Sequence, residues 1–238
     1  MAEYLISGAK DFSFAPPSRN TGMRFMSVVF LLLCGIGLSA QPEPAEIFRF
    51  PLTAETRPRF IEVCAVLSKR KIVKGNFEQI KTINRLNRSL TSKGDFIIAA
   101  DTGMVWETRT PFPSTLAMSK DQLIQSSPSG AKTRLNAAGN ETFLRLADTI
   151  SAVFSGNYQS LTEAFDAYFT ESGGVWTLGL IPSEQAISSV ASRIVISGDS
   201  VIRSILLYEQ TGDAVRYTLS NHAFPKTLSP AEKKLFSF

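Results

Sequence analysis

Apolar residues at Phe60, Val63, Cys64 and Leu67 recur at helical spacing, and the run closes on Lys69-Arg70-Lys71, cations suited to a helix C-terminus. An amphipathic helix is therefore predicted at the start of the folded body. From Val73 the period changes. Segments rich in β-branched and aromatic side chains alternate with Gly, Pro, Asp or Ser, and strands are predicted near 73–84, 88–100, 103–108, 114–119 and 122–127. Their turns fall at Thr102-Gly103, Pro111-Phe112-Pro113 and Lys120-Asp121, short enough to make sequential strands antiparallel neighbours.

Two helices are predicted to interrupt this meander. Over 140–155 an apolar stripe of Phe143, Leu146, Ala147, Ile150, Val153 and Phe154 follows a capping Asn140. The second opens on Ser160-x-x-Glu163, a capping box, with Leu161, Ala164, Phe165 and Tyr168 on one side. The sheet resumes with Val175 to Ile181, where Trp176, Leu178 and Leu180 alternate with smaller residues. A short helix follows from Pro182 to about Val190, and strands follow near 192–197, 201–209 and 214–221. Val215, Tyr217 and Leu219 alternate with Arg216, Thr218 and Ser220, giving the last strand one wet and one buried face. The tail ends in Leu235-Phe236-Ser237-Phe238, apolar enough to dock on the body.

Upstream, Phe25 to Leu38 is uncharged, preceded by Met23-Arg24 and followed by Leu38-Ser39-Ala40, small where a signal peptidase reads. Residues 23–40 read as a secretory signal cleaved after Ala40, too short to span a hydrocarbon core of ~30 Å comfortably. Residues 1–22 read as an extension upstream of a start at Met23, and residues 41–56, rich in proline, as a linker to a single domain over 57–238. Leu31-Leu32-Leu33-Cys34 resembles a lipobox, though Leu33 stands where a small residue belongs; lipidation at Cys34 is the competing reading of this segment. Without Cys34 only Cys64 remains, which leaves no intramolecular disulfide and no cysteine-based zinc site.

With 44% hydrophobic and 19% charged residues the composition is that of a globular chain. A net charge of +4, with no long Lys/Arg run, argues against nucleic acid as a partner. The lone histidine, His222, stands in no triad context, and G-x-S-x-G, P-loop and H-E-x-x-H motifs are missing, so the chain does not read as an enzyme and no cofactor is expected. Asp95, Asp101, Glu107 and Asp121 lack the loop spacing of a calcium site. Lys69-Arg70-Lys71-x-x-Lys74 suits a helix end, or an anionic headgroup surface. Even spacings place Phe96 with Ile98, Met104 with Trp106, and Trp176 with Leu178 and Leu180 on common strand faces; such a face is either a filled core or the wall of a ligand cavity, and periodicity does not separate the two.

Gly75-Asn76-Phe77-Glu78-Gln79, Leu90 to Phe96, Val105-Trp106-Glu107 with Pro111, then Leu180-Ile181-Pro182, Ile194-Val195-Ile196 and Glu209-x-x-Gly212-Asp213-x-x-x-Tyr217 form an ordered series. The series resembles the LolA family of lipoprotein carriers over about 57–238. The resemblance implies a mostly β fold with α: a strongly curved antiparallel sheet forming an incomplete β-barrel, with helices as a lid over a hydrophobic cavity for acyl chains. By that resemblance the cavity is lined from the sheet by Phe77, Phe96, Ile98, Ala100, Met104, Trp106, Leu116, Met118, Trp176, Leu178 and Leu180, and from the lid by Phe143, Leu146, Ile150, Leu161 and Phe165. It further implies a periplasmic monomer that takes acylated lipoproteins, or another lipid, from an inner-membrane ABC-type complex to an outer-membrane acceptor. The family places an arginine linked with lid closure and release where this chain has Ala100, and a proline where it has Asp101. The mouth is accordingly expected to be more apolar here, with cargo held more tightly or a different cargo altogether.

Overall fold

The computed structural model describes residues 45–119, 122–136, 148–149 and 151–236. Eleven strands make one antiparallel sheet: β1 (Ile72–Ile83), β2 (Arg88–Ala99), β3 (Gly103–Thr110), β4 (Ser114–Met118), β5 (Gln122–Ser126), β6 (Lys132–Asn136), β7 (Phe165–Ser172), β8 (Val175–Pro182), β9 (Ala191–Gly198), β10 (Ile202–Glu209) and β11 (Ala214–Ala223). The spatial order β6-β5-β4-β3-β2-β1-β11-β10-β9-β8-β7 describes two meanders joined through β1 and β11. The ends, β6 and β7, are not paired with each other, so the barrel is incomplete, as expected.

Register shows how far the sheet bends. Phe77 of β1 lies opposite Leu219 of β11 and Gly94 of β2, and Ile98 lies opposite Met104, itself opposite Met118 of β4. In the other meander Phe169, Leu178, Ile196, Ile205 and Tyr217 form one cross-strand row. Met118 and Phe169 belong to the same buried cluster. Between β4 and β7 a flat sheet would run about 38 Å at ~4.8 Å per strand, so the sheet must wrap to bring both into one core.

Helix α1 (Arg57–Ser68) supplies the object it wraps around, with Phe60, Val63, Cys64 and Leu67 buried as the spacing predicted. Helix α2 (Tyr158–Ala164) adds Leu161, and the helical turn over 151–155 adds Val153 and Phe154. Gly156, at φ +64°, lets that turn approach α1 closely: a Cβ there would stand 2.1 Å from the Cys64 carbonyl oxygen.

The structure departs from the sequence reading in four places. The capping-box reading of Ser160 gives way to Asn157, whose side chain accepts from the Ser160 amide, and the helix stops at Ala164. Phe165 to Ser172 is strand β7, so Phe165 and Tyr168 sit on a sheet, not on one side of a helix. Strand β6, Lys-Thr-Arg-Leu-Asn, carries almost no apolar signal and was not expected. Residues 45–52, expected within a linker, pack on the body: Ile47, in a 3-10 helix over Ala45–Arg49, is buried with Val195 and Leu206 on the outer face. There the Leu52 amide donates to Ala167 and the Phe169 amide to Phe50, which covers the β7 edge.

Elsewhere the outline holds. The short helix α3 (Gln185–Ser188) falls within the predicted 182–190, and the tail folds as α4 (Pro230–Leu235) with a Ser229/Glu232 capping box. Phe236 docks on Ile97, Ala99, Val105 and Ala117, the outer face of β2–β4. The Lys120-Asp121 turn, Phe238, and residues 140–147 and 150 of the predicted 140–155 helix lie outside the described residues.

Candidate functional site

The inner face of the sheet is where the predicted lining residues meet. Phe77, Phe96, Ile98, Met104, Met118, Leu161, Phe165, Trp176, Leu178 and Leu180 are buried in one cluster, and the partly buried Trp106 packs against it. Trp106 stacks on Phe77 with centroids 4.4 Å apart, lies 5.7 Å from the Phe96 ring, and meets Tyr217 edge-on at 5.3 Å. Gly94 makes the stack possible, because a Cβ at that position would reach within 2.8 Å of the Phe77 ring. Leu116 shares the Trp106 register on β4 and is partly exposed. Ala100 sits in the β2–β3 turn beyond the strand, its amide donating to Lys71. Phe143, Leu146 and Ile150 lie outside the described residues.

The helices fill this face. Between α1, Val153, Leu161, Trp176, Leu178, Ile196 and Ile202 only about 10 Å³ is left open. A second opening of about 60 Å³ has Ile98, Met104, Met118 and Phe154 on its walls and Arg70, Lys71, Asp101 and Asp148 among its rim residues. Pockets that enclose a drug-sized ligand run to about 300–1,000 Å³, so any guest must displace what is packed here. Helix α1 is held at both ends. Arg59 donates to Glu171 of β7 through Nε (2.5 Å) and Nη2 (2.8 Å), and Arg70 donates to the Ser200 carbonyl (2.6 Å) with its guanidinium 4.0 Å over the Phe224 ring. Burial pushes the Cys64 thiol up to about 12.

The family model for outer membrane lipoprotein carrier protein LolA matches residues 68–238. The chain belongs to the LolA family. Solved structures similar to it include a putative outer membrane lipoprotein-sorting protein domain from Vibrio parahaemolyticus, at 13% identity and a TM-score of 0.40, covering 75% of this chain and 98% of that one. A LolA superfamily protein, NE2245, from Nitrosomonas europaea is similar at 9% identity and a TM-score of 0.42, covering 79% and 98%. MucB is similar at 13% and 0.44, covering 78% of this chain and 63% of that one. No curated protein matches the sequence.

For a LolA family member the inner face holds one feature the sequence reading passed over. The row Ala167, Leu180, Ile194, Leu207, Val215 ends on Lys81, which is 6% exposed and bonded by its ammonium to both carboxylate oxygens of Glu209, at 2.9 and 3.2 Å. Period-2 counting from Phe77 through Gln79 reaches Lys81, and that signal was available. Tyr217 neighbours the pair; burial first, then the Glu209 charge, holds its phenol above the usual range. His222 lies at the far end of β11, edge-on to Phe96 at 5.8 Å. Burial, with Arg203 nearby, lowers its pKa, and the ring packs against Phe96 and Phe224. Asp95 is engaged by Asn76 and Arg109, and Asp101 is exposed on the β2–β3 turn. Among the described residues no cluster of His, Cys, Asp and Glu is arranged to hold a metal.

Proposed function

We propose that the chain is a periplasmic carrier, exported through residues 23–40, that binds the acyl chains of a lipoprotein on the inner face of its sheet. The carrying observation is that apolar residues from both meanders, with those of α1 and α2, form one continuous buried cluster inside an unclosed sheet. Family membership supports a lipid- or lipoprotein-handling role. In this reading α1 and the 151–164 region occupy the acyl site at rest and yield to cargo, which an inner-membrane ABC-type complex delivers and an outer-membrane acceptor receives. A carrier is needed because each buried methylene stabilises a chain in a bilayer by ~0.8 kcal/mol, which makes unaided escape into water negligible.

The test is binding of a synthetic diacylated lipopeptide, followed by Trp106 fluorescence with Trp176 replaced by phenylalanine. A saturable change, lost in Met104→Glu or Ile98→Glu variants that still fold cooperatively, supports the reading; no response at any lipid concentration rejects it. The LLLC sequence at 31–34 favours a second reading, a membrane-anchored acceptor lipidated at Cys34. Fatty-acid label retained at the N-terminus distinguishes anchor from shuttle.

A further inference from the structure

Three hairpins, β1–β2, β3–β4 and β5–β6, emerge at one end of the sheet, because six consecutive strands alternate in direction. The first two end on large exposed apolar residues, Leu86 at 55% and Phe112 at 48% exposure. Their midlines are two strand spacings apart, about 10 Å. Around them stand Arg85 and Arg88, with Lys132 and Arg134 on the edge strand, all exposed, and Arg109, which pairs with Asp95. Segments 84–90, 109–114 and 122–136 contain no Asp or Glu; one carboxylate at this end is Asp213 of the adjoining β10–β11 turn, which accepts from the Asn84 amide at 3.1 Å. Among the described residues the other large exposed apolar side chains lie elsewhere: Phe224 is capped by the Arg70 guanidinium, Val175 opens β8 at the opposite end, Phe50 lies along the β7 edge, and Val66 is on α1.

We propose that these hairpin tips form a docking surface for an anionic bilayer. Two isolated apolar tips among Asn, Thr, Pro and arginine suit insertion between lipid headgroups. A protein interface of standard size would instead need a continuous patch of ~800 Å² with an apolar centre. The cations match the negative surface, each adding to affinity near it. The inner face next to this end is also its half-open part: Trp106, Thr108 and Leu116 are all partly exposed between the tips and the buried cluster. The docked end therefore leads toward the acyl site of the preceding reading, although docking itself needs no cargo.

The experiment is sedimentation of the purified, cargo-free protein with vesicles of phosphatidylcholine alone and of equal parts phosphatidylcholine and phosphatidylglycerol. Binding is expected only to the anionic vesicles, weakened by salt. Arg85→Gln with Arg88→Gln should reduce it roughly thirtyfold. Leu86→Ser with Phe112→Ser should reduce it while leaving its salt dependence. Equal binding to both vesicles, no binding, or variants that bind like the parent overturns the proposal; a protein partner with an acidic surface then becomes the better account. Since these residues lie outside the inner-face cluster, lipopeptide binding by the same variants should be unchanged. Loss of lipopeptide binding in the parent, with vesicle binding intact, would count against the carrier reading alone.

Discussion

Adding a diacylated amphiphile is expected to expose Cys64 to alkylation, because Cys64 lies on the buried side of α1 among the residues a guest must displace. The resting protection follows from burial. Phe60, Val63 and Leu67 are each nearly inaccessible, and at ~1.5–3 kcal/mol per side chain their exposure costs roughly 5–9 kcal/mol. That is roughly four to six powers of ten in the population of an opened state. Within the closed state the thiol, raised to about 12, is almost wholly protonated at neutral pH, so reaction there is slow as well. With Cys34→Ser, or with residues 1–40 removed, Cys64 is the sole thiol, and iodoacetamide labelling read by mass spectrometry follows it directly. Labelling should accelerate as amphiphile saturates the Trp106 signal. If the signal saturates while Cys64 stays protected, cargo binds without moving α1, and the reasoning from the filled inner face is refuted.

Other consequences are smaller in scope. Lys81→Met leaves the partly buried Glu209 without its cation and should lower unfolding stability in urea by about 1–3 kcal/mol, while the double change with Glu209→Leu should recover most of it. The raised Cys64 thiol contributes stability that is complete below its unfolded value of 9.0 and is lost as pH rises toward about 12; Cys64→Ala should flatten the alkaline fall in melting temperature across that window. Glu232 is held down at about 2, chiefly by the Lys74 ammonium, so its contribution is present above its ordinary 4.5 and disappears as pH falls through about 2. Proteolysis of the tail should therefore increase over that acid range, and less steeply in Lys74→Met.

The residues that announced themselves were those with one unambiguous period. Phe60, Val63, Cys64 and Leu67 specified α1, and five of the first six strands were readable because each carries alternating apolar residues between turn formers. β7 failed for the opposite reason. Leu161, Ala164, Phe165 and Tyr168 satisfy a helical stripe, yet Phe165, Ala167 and Phe169 satisfy a strand equally well, and cross-strand pairing with β8 decides between them. β6 is held by its ladder to β5, with Lys132, Thr133 and Arg134 facing solvent, so nothing in its composition marks it. On the inner face, the apolar residues that cluster there could be picked out from their spacing and the Lys81–Glu209 pair could not, since the partners are far apart in sequence and only the fold brings them together.

On the proposed carrier reading, the filled inner face sets the direction in which the chain works. Against water, an acyl chain of ~16 carbons gains ~12 kcal/mol on burial, which exceeds the roughly 5–9 kcal/mol lost by uncovering α1. Chains shorter than about 6–11 methylenes should then leave Cys64 protected, and longer ones should expose it. Against a bilayer the balance differs, because the chain is already buried there and gains little by moving. Loading from a membrane leaves the α1 term uncompensated, whereas unloading into a membrane returns α1 to its site and runs downhill. On the carrier reading proposed above, such an asymmetry suits a donor that spends chemical energy and an acceptor that spends none, and a variant with a weaker hold on α1, such as Arg59→Gln at the Glu171 contact, should load more readily and discharge more slowly.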